Sequence, residues 1–357
     1  MKLSNSKTKM PFVESKRPDM DYIAKLLELC IETNLWANRG PLYHMLAEKY
    51  EAHMNVPAEQ AITPCANGGI GLEAIARFLE IKFGRPIRWV ASSFSFSNLG
   101  RGYFCDMQFI DCTKQGILSL EALGELPSDS FDGFVVTNPF GAWSDFGPFI
   151  EYAKKSGKFM LIDNAAGLNE HLPDWPYQSF SLHHTKPYGA GEGGLILSPK
   201  DEAEPIYNLL NYVPLTDVEK RHWINNGKVS DIACAFQIDR LDHSHIWKPL
   251  YLEQTARVVD IAAKVGLTPL YPLDDNIPAT SLPFCGSDKV LEENIDAAQH
   301  LMLSKYYQPL AQTPNCLEIF DRLVNIPCHP DVALVNDEKL LEDLSRLTAK
   351  TAVRTGT

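Results

Sequence analysis

A chain of 357 residues with 45% hydrophobic and 22% charged residues has the balance of an ordinary globular protein. It is long enough for a large domain with a smaller one beside it. Its net charge of −12 argues against a general nucleic-acid or anionic-membrane surface, although backbone N–H groups inside an acidic protein still bind phosphate. The eight cysteines are scattered without a C-x-x-C pair, so neither a zinc knuckle nor a dithiol motif is indicated. A polar N-terminus, and no apolar run near the roughly 20 residues that span a bilayer, lead us to expect a cytoplasmic protein.

Residues 1–10 read as a mobile tail. Tyr22, Ile23, Leu26, Leu27 and Cys30 have helical spacing, with Asp19 or Asp21 as a cap. Asn38-Arg39-Gly40-Pro41 breaks the chain before a second amphipathic helix through Leu42, Met45, Leu46 and Tyr50. Short apolar strands then alternate with helices. The strand candidates are 89–91, 109–110, 134–137, 159–162, 179–182 and 195–197, a βαβ rhythm that implies a mostly parallel sheet. Residues 11–240 make the large domain in this reading. A long helix through Tyr251, Val258, Ile261 and Val265, short strands, and a last helix from Asp337 to Leu347 make a smaller α+β domain over 241–357.

The chemistry concentrates on a few segments. Ser181 to Gly194 carries Lys186 in a polar turn between two strands, followed by a glycine-rich bend. That layout holds one amine still while backbone passes close by, as an aldehyde cofactor held by a lysine requires. A surface lysine in a hairpin-like turn is the plainer alternative. Asn67-Gly68-Gly69-Ile70-Gly71 opens an apolar helix, where free N–H groups favour a phosphate; a simple capping turn would look the same. Asp163 ends the strand 159–162, and a carboxylate at a buried strand end needs a partner, either a protonated ring nitrogen or a helix N-terminus. His243 and His245 lack the carboxylates or cysteines that would complete a metal site, so no metal is expected. His183 and His184 read as ring or substrate contacts.

In order and content these segments resemble the DegT/DnrJ/StrS family of pyridoxal-phosphate (PLP) sugar aminotransferases, from about Pro18 to Leu347. The matching segments begin with Asn38 to Pro41 (N-x-G-P), Asn67 to Leu72 (N-G-T-x-x-L) and Phe94-Ser95-Phe96 (F-T-F). Val135 to Gly141 resembles the strand that ends in F-G. Ser179 to Gly194 resembles S-F-x-x-x-K…G-E-G-G and is the most specific match. Asn226-Gly227-Lys228-Val229-Ser230 is similar to N-x-[RK]-M-S, and Leu323 to Pro330 to L-P-x-H-P.

The resemblance implies an α/β fold of the aspartate aminotransferase-like type (fold type I). Its large domain would hold a mostly parallel central sheet and the C-terminal domain would be smaller and α+β. It implies PLP bound covalently to Lys186, which also shuttles the proton, with Asp163 on the pyridinium nitrogen. Asn67, Gly68, Gly69 and Ser181 would hold the phosphate and Phe96 would cover the ring. Asn226 would reach the phosphate of a neighbouring subunit, hence a homodimer with shared sites. Arg39, His183, His184, Tyr188 and Lys228 are candidate substrate contacts. The implied reaction moves an amino group from an amino acid, usually glutamate, to a keto sugar, nucleotide-linked by family analogy, in amino-sugar or polysaccharide biosynthesis. Dehydratase-like relatives replace the lysine by histidine, and the retained Lys186 favours transamination. Intact Lys186, Asp163 and Ser181 also speak against a non-catalytic sensor.

Three departures stand out. Gly69 replaces a threonine, and Ala166 cannot supply the stacking His or Gln, so the ring would lean on Phe96 or another aromatic. Alignment on the two alanines puts Asn164 rather than Asp163 at the acid position. We expect Asp163, because a neutral amide stabilises a pyridinium poorly.

Overall fold

The computed structural model describes residues 9–348. The chain opens with α1 (Met20–Thr33), whose first turn is capped by Asp19 Oδ1 accepting from the N–H groups of Asp21 and Tyr22 at 3.0 Å each. Helix α2 (Pro41–His53) starts at a proline. Its orphan donors go to a distant residue. The buried Asp231 carboxylate accepts from Gly40 N at 3.1 Å, Leu42 N at 3.0 Å and Tyr43 N at 3.1 Å.

Strands β1 (Gln60–Cys65), β2 (Trp89–Ser92), β3 (Gln108–Ile110), β4 (Gly133–Thr137), β5 (Phe159–Asp163), β6 (Gln178–Ser181) and β7 (Gly194–Pro199) form one sheet. Its order is β1-β7-β6-β5-β4-β2-β3. Strands β3, β2, β4, β5 and β6 run parallel, while β7 is antiparallel to both β6 and β1. The sheet is thus mostly parallel, as expected, with an antiparallel margin. Strand β1 escaped the sequence reading because Pro64 interrupts a short apolar run. Its edge position is the one place where a missing ladder donor costs nothing.

Helix α3 (Gly68–Phe83) lies against β7 and β6 and buries Leu72, Ala74, Ile75, Ala76, Phe78 and Leu79. Gly71 allows the close approach, since a methyl group there would sit 2.9 Å from Ile196 Cγ1. A second sheet, β8 (Thr268–Pro269), β9 (Ser281–Cys285) and β10 (Leu323–Pro327), is antiparallel in the order β10-β9-β8. Helix Asp337–Thr348 belongs to the same core, through Leu340, Leu344 and Leu347.

The helix Ser244–Lys264 joins the two parts. Trp247 and Tyr251 lie in the large-domain core with Tyr188, whereas Val258, Ile261 and Ala262 lie in the core under the small sheet. The expected boundary at residue 240 falls inside the last turn of the helix Asp231–Asp242, and the next helix is shared by both cores. Of the expected tail, residues 1–8 lie outside the described residues. Lys9 and Met10 do not form a tail: Lys9 Nζ donates to Asp296 O at 3.0 Å, Met10 N to His300 O at 2.7 Å, and Met302 N to Met10 O at 3.0 Å. Among the described residues no helix is long and apolar enough to cross a membrane.

Candidate active site

The carboxyl end of the parallel sheet presents a polar row. Register places Thr137 beside Asp163 and Asp163 beside Ser179, so the three side chains share one face. Thr137 Oγ1 and Ser179 Oγ are buried without a hydrogen-bond partner. The Asp163 carboxylate is buried, with Ala165 N as its backbone donor at 3.3 Å. Burial pushes its pKa up to about 6, against the opposing pull of Ala165 N and the Lys186 charge. Burial also pulls the Lys186 amine below the ordinary lysine range, and the Asp163 charge opposes it. An amine and a carboxylate within reach of each other's charge, among unpartnered hydroxyls, are the donor set that a protonated pyridine with an aldehyde would fill.

Asn164 has a different task. Its Oδ1 accepts from Asn138 Nδ2 at 2.8 Å, and Asn138 in turn bonds Trp143 N and Trp143 O, each at 3.0 Å. Consecutive residues at a strand end face opposite ways, so Asn164 staples the turns after β4 and β5 while Asp163 faces Lys186. Gly167 is required beside the staple, because a methyl group there would stand 2.1 Å from Asn164 Oδ1.

Aromatic rings close the site from another direction. Phe140 and Tyr307 stack with centroids 4.5 Å apart at 18°, and both have left-handed backbones, with φ 59° and 62°. Phe94 meets Tyr307 edge-on at 5.5 Å and Phe96 at 6.1 Å. Burial, and then the nearby Asp163 charge, raises the Tyr307 phenol pKa. Tyr307 supplies an aromatic at the site that the sequence reading missed. It lies more than a hundred residues from Asp163 and the lysine turn, in a segment without regular structure.

The expected phosphate cradle assembles locally. Asn67 Oδ1 caps α3 by accepting from Ile70 N at 2.9 Å. Gly68 and Gly69 are the first two helical residues, whose N–H groups have no acceptor within the helix. A methyl group on Gly68 would lie 3.2 Å from Ser181 N, so the helix start adjoins Ser181. Asn98, which the sequence did not single out, approaches Gly69 and leaves its Oδ1 buried without a partner. Asn226 is exposed; the neighbouring Gly227 packs on Ile70 and Leu210.

The lysine turn itself is densely braced. Lys186 N donates to His183 O at 2.8 Å, and Gly189 N to Lys186 O at 3.0 Å. A methyl group on Gly189 would fall 2.0 Å from His183 O, so only glycine closes this turn. The two N–H bonds of the buried Gln237 amide are shared among Leu182 O at 2.9 Å, Ala190 O at 3.0 Å and Glu192 O at 2.9 Å, and its oxygen accepts from Ala190 N at 3.1 Å. Arg240 Nε donates to Pro187 O at 2.8 Å, and Thr280 Oγ1, from the small domain, to Thr185 O at 2.6 Å. Gln237 and Arg240 both lie on the helix Asp231–Asp242. Their targets are not legible in the sequence, because they are backbone carbonyls far away in the chain.

Gly194 lets the strand after the turn touch the start of α3. A methyl group there would stand 2.3 Å from the Asn67 carbonyl carbon and 2.6 Å from Gly68 N. Gly194→Ala should cost about 3 kcal/mol and displace the cradle. A denaturant midpoint lowered without a change in slope is the expected result.

The candidate substrate contacts divide. His183 and His184 are exposed on the lysine turn, with His183 Nδ1 3.0 Å from Thr185 Oγ1. Tyr188 is a core residue and its phenol does not line the site: it packs on Trp247 and meets His53 Nε2 at 2.9 Å. Its apolar neighbours along the helix Ser244–Lys264 explain the burial. Arg39 is engaged by Glu204 at 2.6 Å and lies over the Tyr207 ring, and Lys228 Nζ donates to Asn38 Oδ1 at 2.6 Å. None of these partners belongs to the lysine turn.

The profile of the DegT/DnrJ/EryC1/StrS aminotransferase family matches residues 19–249. Protein Rv3402c of Mycobacterium tuberculosis is 24% identical over 253 residues, covering 65% of this chain and 60% of that protein. The chain thus spans less than two thirds of the length of the curated relatives it matches. Among solved structures, DesI in the presence of its TDP-sugar product superposes with a TM-score of 0.78 at 17% identity, covering 96% of this chain and 93% of DesI. PseC of Helicobacter pylori, an aminotransferase of pseudoaminic acid biosynthesis, gives 0.76 at 13% identity over 95% and 99%. At these identities the structural likeness shows the fold, the expected α/β architecture of PLP-dependent aminotransferases. By the profile match over most of its length, the chain belongs to the DegT/DnrJ/EryC1/StrS aminotransferase family.

Proposed function

We propose that the protein is a PLP-dependent aminotransferase, with PLP joined to Lys186, that moves an amino group from glutamate or another amino acid to a keto sugar carried on a nucleotide. The observation that carries the reading is the buried Asp163 carboxylate at the carboxyl end of the sheet, in register with two unpartnered hydroxyls and within reach of the Lys186 charge. When bound, PLP supplies an electron sink for the electrons left when a C–H proton departs. The chain's own residues do the rest. Asp163 holds a positive ring nitrogen. The Lys186 amine, with its pKa lowered by burial, gives up its proton more readily than an ordinary lysine and carries the substrate proton away and back. The start of α3 with Ser181 holds a phosphate through N–H and hydroxyl donors. Phe96 and Tyr307 limit the ring's movement and exclude water.

The sugar and its nucleotide are proposed by kinship with DesI, whose structure was solved with a TDP-sugar product. A homodimer with shared sites is part of the proposal, supported by the exposed Asn226 beside the α3 start. Setting in the reducing cytoplasm is supported by eight free cysteines, seven of them buried.

The test is the absorption spectrum of the purified protein with added PLP, before and after glutamate. A visible band that moves to shorter wavelength with glutamate and returns with a keto sugar supports transamination. A band that ignores every amino donor rejects it in favour of dehydratase-like or non-catalytic use. Absence of cofactor binding rejects the reading altogether.

A further inference from the structure

The N-terminal segment crosses from the small domain to the lysine turn, and each contact along it is specific. Met10 pairs with Leu301. Pro11 O lies 2.9 Å from His329 Nε2, and Ser15 N donates to Asp331 Oδ2 at 2.7 Å. Glu14 is buried between the Arg240 guanidinium and the Tyr251 phenol, each at 2.8 Å. Next comes Lys16. Its ammonium donates to His184 O at 2.8 Å and also to the carbonyls of Lys186 and Gly189. Three acceptors match the three N–H bonds of an ammonium, and one acceptor is the carbonyl of the reactive lysine itself.

We propose that residues 10–16 form a strap between the small domain and the lysine turn, and that Lys16 is a positioning residue for Lys186. Gln237 and Arg240 hold the carbonyls of residues 182, 187, 190 and 192. Lys16 alone among the described side chains holds the carbonyl of Lys186, and so fixes the point from which its side chain departs. Burial and the Arg240 charge draw the Lys16 ammonium's pKa down to about 6, while Glu14 raises it. Below that pH the three N–H bonds of the ammonium meet the three carbonyls; above it the neutral amine keeps two, and Lys186 O retains Gly189 N as a donor. The strap also couples the domains. A displacement of the small sheet would pull on Asp331 and His329, and through Ser15 and Lys16 on the turn. With Thr280 on Thr185 O, this gives the small domain two holds on the catalytic loop.

The Lys186 role rests on the function proposed above, so the test has one arm that needs PLP and one that does not. In the first, PLP is fixed to the protein with borohydride and the rate of labelling of Lys186 is followed by peptide mass, for wild type, K16M and K16R. In the second, amide hydrogen exchange is followed in the peptide 182–192 and in β2, β4 and β5. K16M is expected to slow labelling at least tenfold and to speed exchange of 182–192 at least tenfold. The sheet should stay protected and K16R should recover most of both. Labelling and exchange at wild-type rates in K16M overturn the proposal. Exchange that rises equally throughout the sheet overturns it too, since Lys16 would then serve stability alone. If K16M does not fold, K16Q replaces it; its amide keeps two donors and should give intermediate rates, and wild-type rates in K16Q likewise overturn the proposal. If wild type itself is not labelled at Lys186, the functional reading fails while the exchange arm still judges the strap.

Discussion

Lys186→Ala is expected to abolish covalent attachment of PLP and to lower turnover by ~10³-fold or more, since one amine serves as both attachment point and proton carrier. The fold should survive. The turn is held by backbone carbonyls bonded to Gln237, Arg240, Lys16 and Thr280, and none of these bonds uses the Lys186 side chain. Removing a half-buried amine whose pKa burial depresses should leave thermal stability unchanged or slightly raised. The check is turnover beside a melting curve without cofactor. Turnover within tenfold of wild type would remove Lys186 from the mechanism.

Asp163→Asn is expected to separate activity from stability. The carboxyl titrates near 3.8 when unfolded and at about 6 in the fold. The folded state therefore holds the proton more tightly. The stability contributed by the protonated acid is full below 3.8 and is lost as pH rises through about 6. Above pH 6 the buried charge costs about 3 kcal/mol relative to the protonated acid. The amide has no such cost. Without cofactor, Asp163→Asn should melt a few degrees above wild type at pH 8 and level with it near pH 4. With PLP, turnover should fall by ~10²-fold or more, because an amide holds a protonated ring nitrogen poorly.

Asn164→Ala should behave in the opposite way. It leaves Asn138 short of a partner and should cost about 1–3 kcal/mol, while most turnover remains in the folded fraction. If Asn164→Ala removes turnover and Asp163→Asn does not, the two roles are exchanged. This pair of variants decides the alignment question that the sequence left open.

What the sequence determined by itself was local. Strand periodicity located β2 to β7, the glycines marked the start of α3 and the lysine turn, and the spacing from Ser181 to Lys186 to Gly194 pointed to a held amine. Such signals are legible because each is written within about fifteen residues, in the pattern of apolar and turn-forming positions. Register across β4, β5 and β6 was not, although it alone puts Thr137, Asp163 and Ser179 on one face. The bond that ties Asn164 to Asn138, 26 residues away, was not legible either. Tyr188 looked like a substrate contact because it follows Lys186 in the chain; packing on Trp247 takes it into the core. Tyr307, Asn98 and Lys16 gave no signal, because their partners lie far off in sequence and several of these are backbone groups common to every residue. Tertiary structure decided these placements, since hydrogen bonds and charges act over a few ångströms of space whatever the distance along the chain.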